Sequence, residues 1–348
     1  MSLGQEKLNR RHGCNRRAFL AAALEAVAGV AMASGTNALG TAARAAQAAG
    51  SDGYIVIDAH IHFYDPSRPQ GVPWPSRDDK VLYRTMLPGD YRAQPVPEPV
   101  RGAVVVEASP WLEDNRWVLD LAAHDPMILG FVGNLPAGSK AFAGPLKRFA
   151  ANKIFRGIRI RDRNLDGLLE DAAFVGDLKL LAEHDLSLDL VGGGEILSFA
   201  DRLAGKLPQL RIIVDHLAGV GVDGKPPPAA WMEKMKPLIR RSTVYFKLSG
   251  LVEGTGRSDG TAPSEVGFYR PVLDAMEDMF GAERLMYASN WPVSGRFAPL
   301  LTVQGIIADY FHGSGGQAKE QVFSQTAMAA YHLGQRDEKR SNSSGADP

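Results

Sequence analysis

Cysteine is nearly absent: of 348 residues, Cys14 alone carries a thiol. Net charge is absent too, because 39 Lys and Arg balance 39 Asp and Glu, so no overall field draws the chain to nucleic acid or an anionic membrane. No Walker-type phosphate loop, internal repeat or heptad pattern is visible. The one long apolar run, ending at Ala33, falls short of the ~20 residues that a membrane span needs. It is also broken by Glu25 and Gly29. These absences leave a small molecule of no strong charge as the expected ligand.

That apolar run follows Asn15-Arg16-Arg17-Ala18-Phe19-Leu20 and leads to Ala46-Gln47-Ala48. Paired arginines, an apolar stretch and an A-x-A site are the pattern of a twin-arginine export signal over residues 1–48, giving a periplasmic or secreted protein. Cleavage near Ala48 removes Cys14 and leaves a mature domain without thiol catalysis or disulfides. It also removes Lys7, Arg10, Arg11, Arg16, Arg17 and Arg44 against Glu6 and Glu25, so the mature chain is mildly acidic. Twin-arginine export carries folded proteins, which suits a cofactor loaded before export.

From residue 54 onward, short β-branched or apolar runs alternate with longer helical patterns, as in a parallel sheet with crossover helices. Eight such runs occur: Tyr54–His60, Gly102–Glu107, Ile128–Val132, Phe155–Ile160, Leu186–Val191, Leu210–His216, Val244–Leu248 and Arg284–Ala288. Eight βα units in about 280 residues predict an α/β fold, a (β/α)8 TIM-type barrel spanning residues 49–333. Phe174, Leu178, Leu181 and Ala182 show the three- and four-residue spacing of an outer-ring helix. Two stretches depart from the pattern. The Pro-rich segment Asp65–Pro99 is too long for an ordinary βα loop and reads as a lid or wall; Gly254–Pro263 is Gly-rich and reads as mobile. Residues 334–348 are polar and read as a disordered tail.

In a parallel barrel the chemistry sits at the carboxyl ends of the strands, so the polar residues that close each run are the candidates. The first run gives Asp58-Ala59-His60-Ile61-His62, whose alternation turns both histidines to one face, where they can share a metal ion. A lone strand histidine is more often a hydrogen-bonded core residue, but the pair at a strand end favours the ligand role. Glu107 closes the second run as a ligand, a base or a rim ion pair. In the fourth run Arg159 and Arg161 share a face, suited to a carboxylate or an oxyanion, or to a surface salt bridge. The sixth places His216 at the mouth, where with His60 and His62 it completes a three-nitrogen zinc site with an open position. Lys247 closes the seventh, either to polarise a carbonyl or as a buried structural pair. Trp74, Trp111 and Trp291 near strand ends could stack on a ring or simply pack. His124, His184, His312 and His332 fall in helical or terminal stretches and read as surface or structural.

The eighth run continues as Tyr287-Ala288-Ser289-Asn290-Trp291-Pro292-Val293. Together D-A-H-I-H, G-I-R, D-H-L-A-G, F-K-L-S-G-L and S-N-W-P-V resemble the lactonase branch of the amidohydrolase superfamily, over residues 54–333. That branch includes L-fuconolactonases, L-rhamnonolactonases and 2-pyrone-4,6-dicarboxylate lactonases. The resemblance implies a deformed barrel, hydrolysis of a lactone or similarly activated carbonyl, and one divalent metal, zinc first, or none. It gives position 290 a catalytic role; the strand-end reading adds Glu107 and Lys247 as catalytic residues, with Arg159, Arg161, Trp74 and Trp291 binding substrate. The metal-ligating lysine of binuclear members is not apparent, and the fifth run lacks the histidine of related decarboxylases.

The main departure is Asn290, where the family usually has the aspartate that takes a proton from the attacking water. An amide cannot do so. Glu107 or another carboxylate such as Asp65 then takes the role, or Asn290 only orients water, or the reaction is not hydrolysis. The competing functions are a metal-dependent decarboxylase or lyase on the same barrel and a non-catalytic sugar-acid-binding derivative. Expected partners are a lactone or sugar acid and the export machinery, without nucleic acid or a stable membrane anchor. A homodimer is left open.

Overall fold

A computed structural model describes residues 54–161, 165 and 167–334. The expected export signal, and all of the expected tail beyond Gly334, lie outside the described residues. Eight strands alternate with helices: β1 Val56–Ile61, β2 Val100–Val106, β3 Ile128–Gly133, β4 Phe155–Ile160, β5 Ser187–Leu190, β6 Ile212–Val214, β7 Val244–Leu248 and β8 Leu285–Tyr287. Each pairs in parallel with the next, in sequence order. The ends meet just past β8, where Asn290 N–H donates to the His60 carbonyl at 2.9 Å and His62 N–H donates to the Trp291 carbonyl at 2.8 Å. The expected barrel is therefore the observed one, nearly closed, with each observed strand within two residues of its run at both ends.

Parallel strands buried on both faces are apolar almost throughout. All six residues of β1 are buried, including Asp58 and His60. An inner layer of Ile57, Ala59, Val104, Val106, Val132, Ile213, Met286 and Ala288 fills the barrel below the mouth. The helical ring packs outside it. The helix Ala172–Glu183, for instance, starts on Asp171, whose side chain accepts from Ala173 N–H, and buries Phe174, Leu178 and Leu181. Among the described residues no helix is long and apolar enough to cross a membrane.

The Pro-rich wall is better ordered than its composition suggests. Tyr64 and Met86 exchange backbone hydrogen bonds at 3.0 and 2.9 Å, the Tyr64 hydroxyl donates to the Leu82 carbonyl, and a short helix forms at Pro88–Arg92. From that helix Tyr91 donates to Asp58 at 2.7 Å, fastening the wall to β1. The Gly-rich stretch after β7 is tied to the chain beyond β8 by Gly260 N–H to the Arg296 carbonyl and Ala262 N–H to the Phe297 carbonyl. The chain ends its described part with the helix Thr326–Tyr331, whose Ala327, Ala330 and Tyr331 join the inner layer and plug the base of the barrel.

Candidate active site

His60 and His62 project from the end of β1 with their Nε2 atoms 3.2 Å apart. His62 Nδ1 lies 2.8 Å from the Val106 carbonyl, which fixes the proton on Nδ1 and leaves the Nε2 lone pair facing His60. His60 Nδ1 lies 3.4 Å from Asp215 and 3.1 Å from Lys247 Nζ. His216 joins them from the segment after β6, its ring centroid 4.5 Å from that of His60. It is held by a 2.8 Å contact between Nδ1 and the Ser249 hydroxyl. His216, Leu217 and Ala218 all take left-handed backbone angles, and this abrupt turn swings the imidazole back over the barrel.

Burial keeps the three rings neutral. Desolvation, aided by Lys247, holds His60 well below the usual imidazole range, and desolvation aided by Arg159 does the same for His62. His216 is lowered to about 4, again chiefly by desolvation. Neutral rings are the form that ligates metal. Two nitrogens 3.2 Å apart are spaced as two corners of a tetrahedron with Zn–N bonds of ~2.0–2.1 Å. Asp215 supplies a further donor: its carboxylate oxygens are buried without a hydrogen bond of good geometry, and His60, Asp215 and His216 offer ligand atoms within 4.8 Å of one another. The grouping His60, Asp215 and His216 thus fits a divalent ion, with Asp215 added to the histidines expected from sequence, while His62 meets His60 on its Nε2 side.

The cations of the site are paired. Lys247 is fully buried, 2.5 Å from Asp189 and 2.9 Å from Asp215. Tyr331, rising from the base, donates to the same Asp189 oxygen at 2.7 Å. Lys247 forms the buried ion pair that is one of its two sequence readings, and its ammonium also stands 3.1 Å from His60 Nδ1. Arg159 reaches Glu107 through Nε at 2.9 Å, and Arg161 reaches the same Oε1 at 3.0 Å. Arg159 also donates to the Glu107 carbonyl and lies 3.8 Å from Asp215. Glu107 therefore organises two guanidiniums, of which Arg159 is buried and Arg161 half exposed.

Above this floor lies a cavity of about 310 Å³ lined by Pro73, Trp74, Glu107, Asn134, Arg159 and Arg161. Trp74 stands 5.8 Å from the His62 ring and forms one wall of the cavity. Trp291 is buried against Phe63 and Tyr91, and Trp111 is exposed; both act as packing or rim residues. Asn290 is 5 % exposed, has a positive φ, and donates from Nδ2 to Glu253 at 2.8 Å. Asp65 is occupied by Ser67 and Thr85 in the wall loop.

Asp189, Asp215 and Glu253 are the participants that the sequence had not singled out. The first two stand at inward positions of β5 and at the close of β6, a signal that strand parity alone could have supplied. Glu253 lies five residues beyond β7, where parity no longer applies.

An eight-stranded parallel barrel with neutral histidines and a buried aspartate at its carboxyl end defines a hydrolase of the amidohydrolase type. The amidohydrolase family model matches residues 57–333, and the chain belongs to that family. It is 32% identical to an L-fucono-1,5-lactonase of Burkholderia ambifaria over 290 residues, 80% of this chain and 95% of that protein. It is 24% identical to an L-rhamnono-gamma-lactonase of Scheffersomyces stipitis, over 69% of this chain and 86% of that one. In fold it is similar to an amidohydrolase from Burkholderia multivorans with bound zinc, with TM-score 0.68, 22% identity, and coverage of 80% and 99% of the two chains.

Proposed function

We propose that the protein is a lactonase that opens a sugar-derived or dicarboxylate lactone by attack of water at the barrel mouth. The observation that carries this reading is the cavity lined by Trp74, Glu107, Arg159 and Arg161, set beside the His60–His62 pair: Trp74 stands 5.8 Å from the His62 ring and the Arg159 guanidinium 3.5 Å from His60 Nε2. The lactonase names of the relatives support it. A divalent ion, zinc first, held by His60, His62, Asp215 and His216 would polarise the carbonyl and acidify water. Trp74 packs on the lactone ring, while Arg161, half exposed, binds a carboxylate or ring oxygen of the substrate. Arg159, fixed by Glu107, faces the oxygen that gains charge as the carbonyl is attacked.

Acid release followed with a pH indicator on L-fucono-1,5-lactone, other aldonolactones and 2-pyrone-4,6-dicarboxylate tests the reading. Turnover of one of these is the expected result. Carbon dioxide release from an aromatic acid, with no lactone opened, would assign the barrel to decarboxylation instead. The proposal extends to location: Arg16 and Arg17 with the following apolar run support export through the twin-arginine route, and Arg16→Lys with Arg17→Lys is expected to retain the protein in the cytoplasm.

A further inference from the structure

We propose that Glu253 supplies the carboxylate that position 290 lacks, with Asn290 holding it in place, and that Glu253 accepts the proton of the attacking water; this rests on the lactonase reading. Carboxylates elsewhere at the rim are engaged. Glu107 is bound by two arginines, Asp215 and Asp189 by Lys247, and Asp65 by Ser67 and Thr85. Asp58 accepts from the Ser289 and His60 amides and from Tyr91. Glu253 is the least engaged of them, with no ion pair and a single side-chain hydrogen bond among the described residues. One oxygen takes the Asn290 amide at 2.8 Å, while Oε2 is buried with no hydrogen-bond partner among the described residues. A buried, unsatisfied carboxylate oxygen is costly unless a ligand or water meets it.

Its placement suits the role. The turn that carries Glu253 is closed by Gly254 N–H donating to the Gly250 carbonyl at 2.8 Å. Gly250 has φ +76° and packs so tightly on His216 that a Cβ there would stand 2.7 Å from the His216 Cβ. Asn290 in turn is pinned through its backbone N–H to the His60 carbonyl. The Glu253–Asn290 pair thus bridges the His216 and His60 sides of the rim. The groups that interact with Glu253 are Asn290 and the Tyr269 phenol; no cation pairs with it among the described residues. Burial pushes its carboxyl up to about 7, opposed in part by the Asn290 hydrogen bond, which suits proton exchange near neutrality.

The step balances as follows. Water passes one proton to Glu253 Oε2 as its oxygen bonds to the lactone carbonyl carbon. The ring C–O bond then breaks, Glu253 returns the proton to the departing ring oxygen, and the new carboxylic acid loses its own proton to solvent. One water is consumed per lactone opened.

The test exchanges the pair, using L-fucono-1,5-lactone as probe. Glu253→Gln keeps an acceptor for Asn290 and is expected to lower kcat ~100-fold or more, with KM little changed. Asn290→Asp alone sets two carboxylates against each other, so one is protonated and the profile moves to higher pH. The double exchange, Glu253→Gln with Asn290→Asp, is expected to recover at least tenfold over Glu253→Gln. Wild-type kcat in Glu253→Gln, or a folded double exchange no better than the single, overturns the proposal. A readout free of any substrate is the wild-type protein labelled at its glutamate δ-carbons. One carbon titrating near pH 7 is expected, and its absence overturns the proposal even if no variant folds. Failure of the wild type to open any lactone, with that titration present, counts against the lactonase reading instead.

Discussion

At the scale of single residues the site is governed by which charges are already spent. Lys247 stands between Asp189 and Asp215 with no exposed surface, so its removal leaves two buried carboxylates without a counter-ion. Breaking such a network from one side typically costs ~3–5 kcal/mol. Lys247→Met is therefore expected to lower the unfolding free energy by about that amount in urea titrations, as well as abolishing activity. Glu107 makes the opposite case, because it lies at the rim and its loss frees two arginines rather than stranding carboxylates. Glu107→Gln is expected to lower kcat/KM at least tenfold while leaving the shape of the pH profile intact. Loss of the acidic limb in that variant would instead make Glu107 the base.

At the scale of elements, the strands were legible because a parallel barrel demands continuous β-branched runs, and Ile128–Val132, Phe155–Ile160 and Val244–Leu248 read almost residue for residue. His60, His62 and Arg159 were legible for the same reason, since strand ends and side-chain parity place them together; His216 was legible as the close of the sixth run, although a left-handed turn rather than parity brings it to the site. What was not legible depends on contacts far apart in sequence. The helix Pro88–Arg92 hides in a Pro-rich stretch, and Tyr331 meets Asp189 across 142 positions of chain. Glu253 acquires meaning only through Asn290, 37 positions on.

The plug helix Thr326–Tyr331 is likewise fixed by remote partners. Beyond it His332 contacts Asp185 at 2.8 Å, while Arg211 binds Asp185 at 2.9 Å and the Ala330 carbonyl at 2.8 Å. Burial alone would raise the Asp185 carboxyl, but His332 and Arg211 more than offset it and hold it well below the usual range. A carboxyl lowered in the folded state stabilises at pH above its unfolded value near 4 and loses that contribution as pH falls further. Asp185→Asn is thus expected to lower stability by ~1–3 kcal/mol at pH 7. The gap to wild type narrows in melts taken below pH 4.

At the scale of the whole molecule, the barrel gathers its donors from its first and sixth strands, which no local segment could bring together. His60 and His62 come from β1, whereas Asp215 and His216 follow β6. An ion bound between residues of these two strands ties distant parts of one cooperative unit, so binding to the folded state alone raises stability by mass action, about 2.7 kcal/mol at a hundredfold excess over Kd. Zinc added to chelator-treated protein is therefore expected to raise the melting temperature by several degrees. The gain is expected to vanish in His60→Ala and in His216→Ala. His332→Ala, at the opposite end of the barrel, is expected to keep it. A zinc-induced shift that survives both rim variants would place the ion elsewhere and remove these histidines from its coordination.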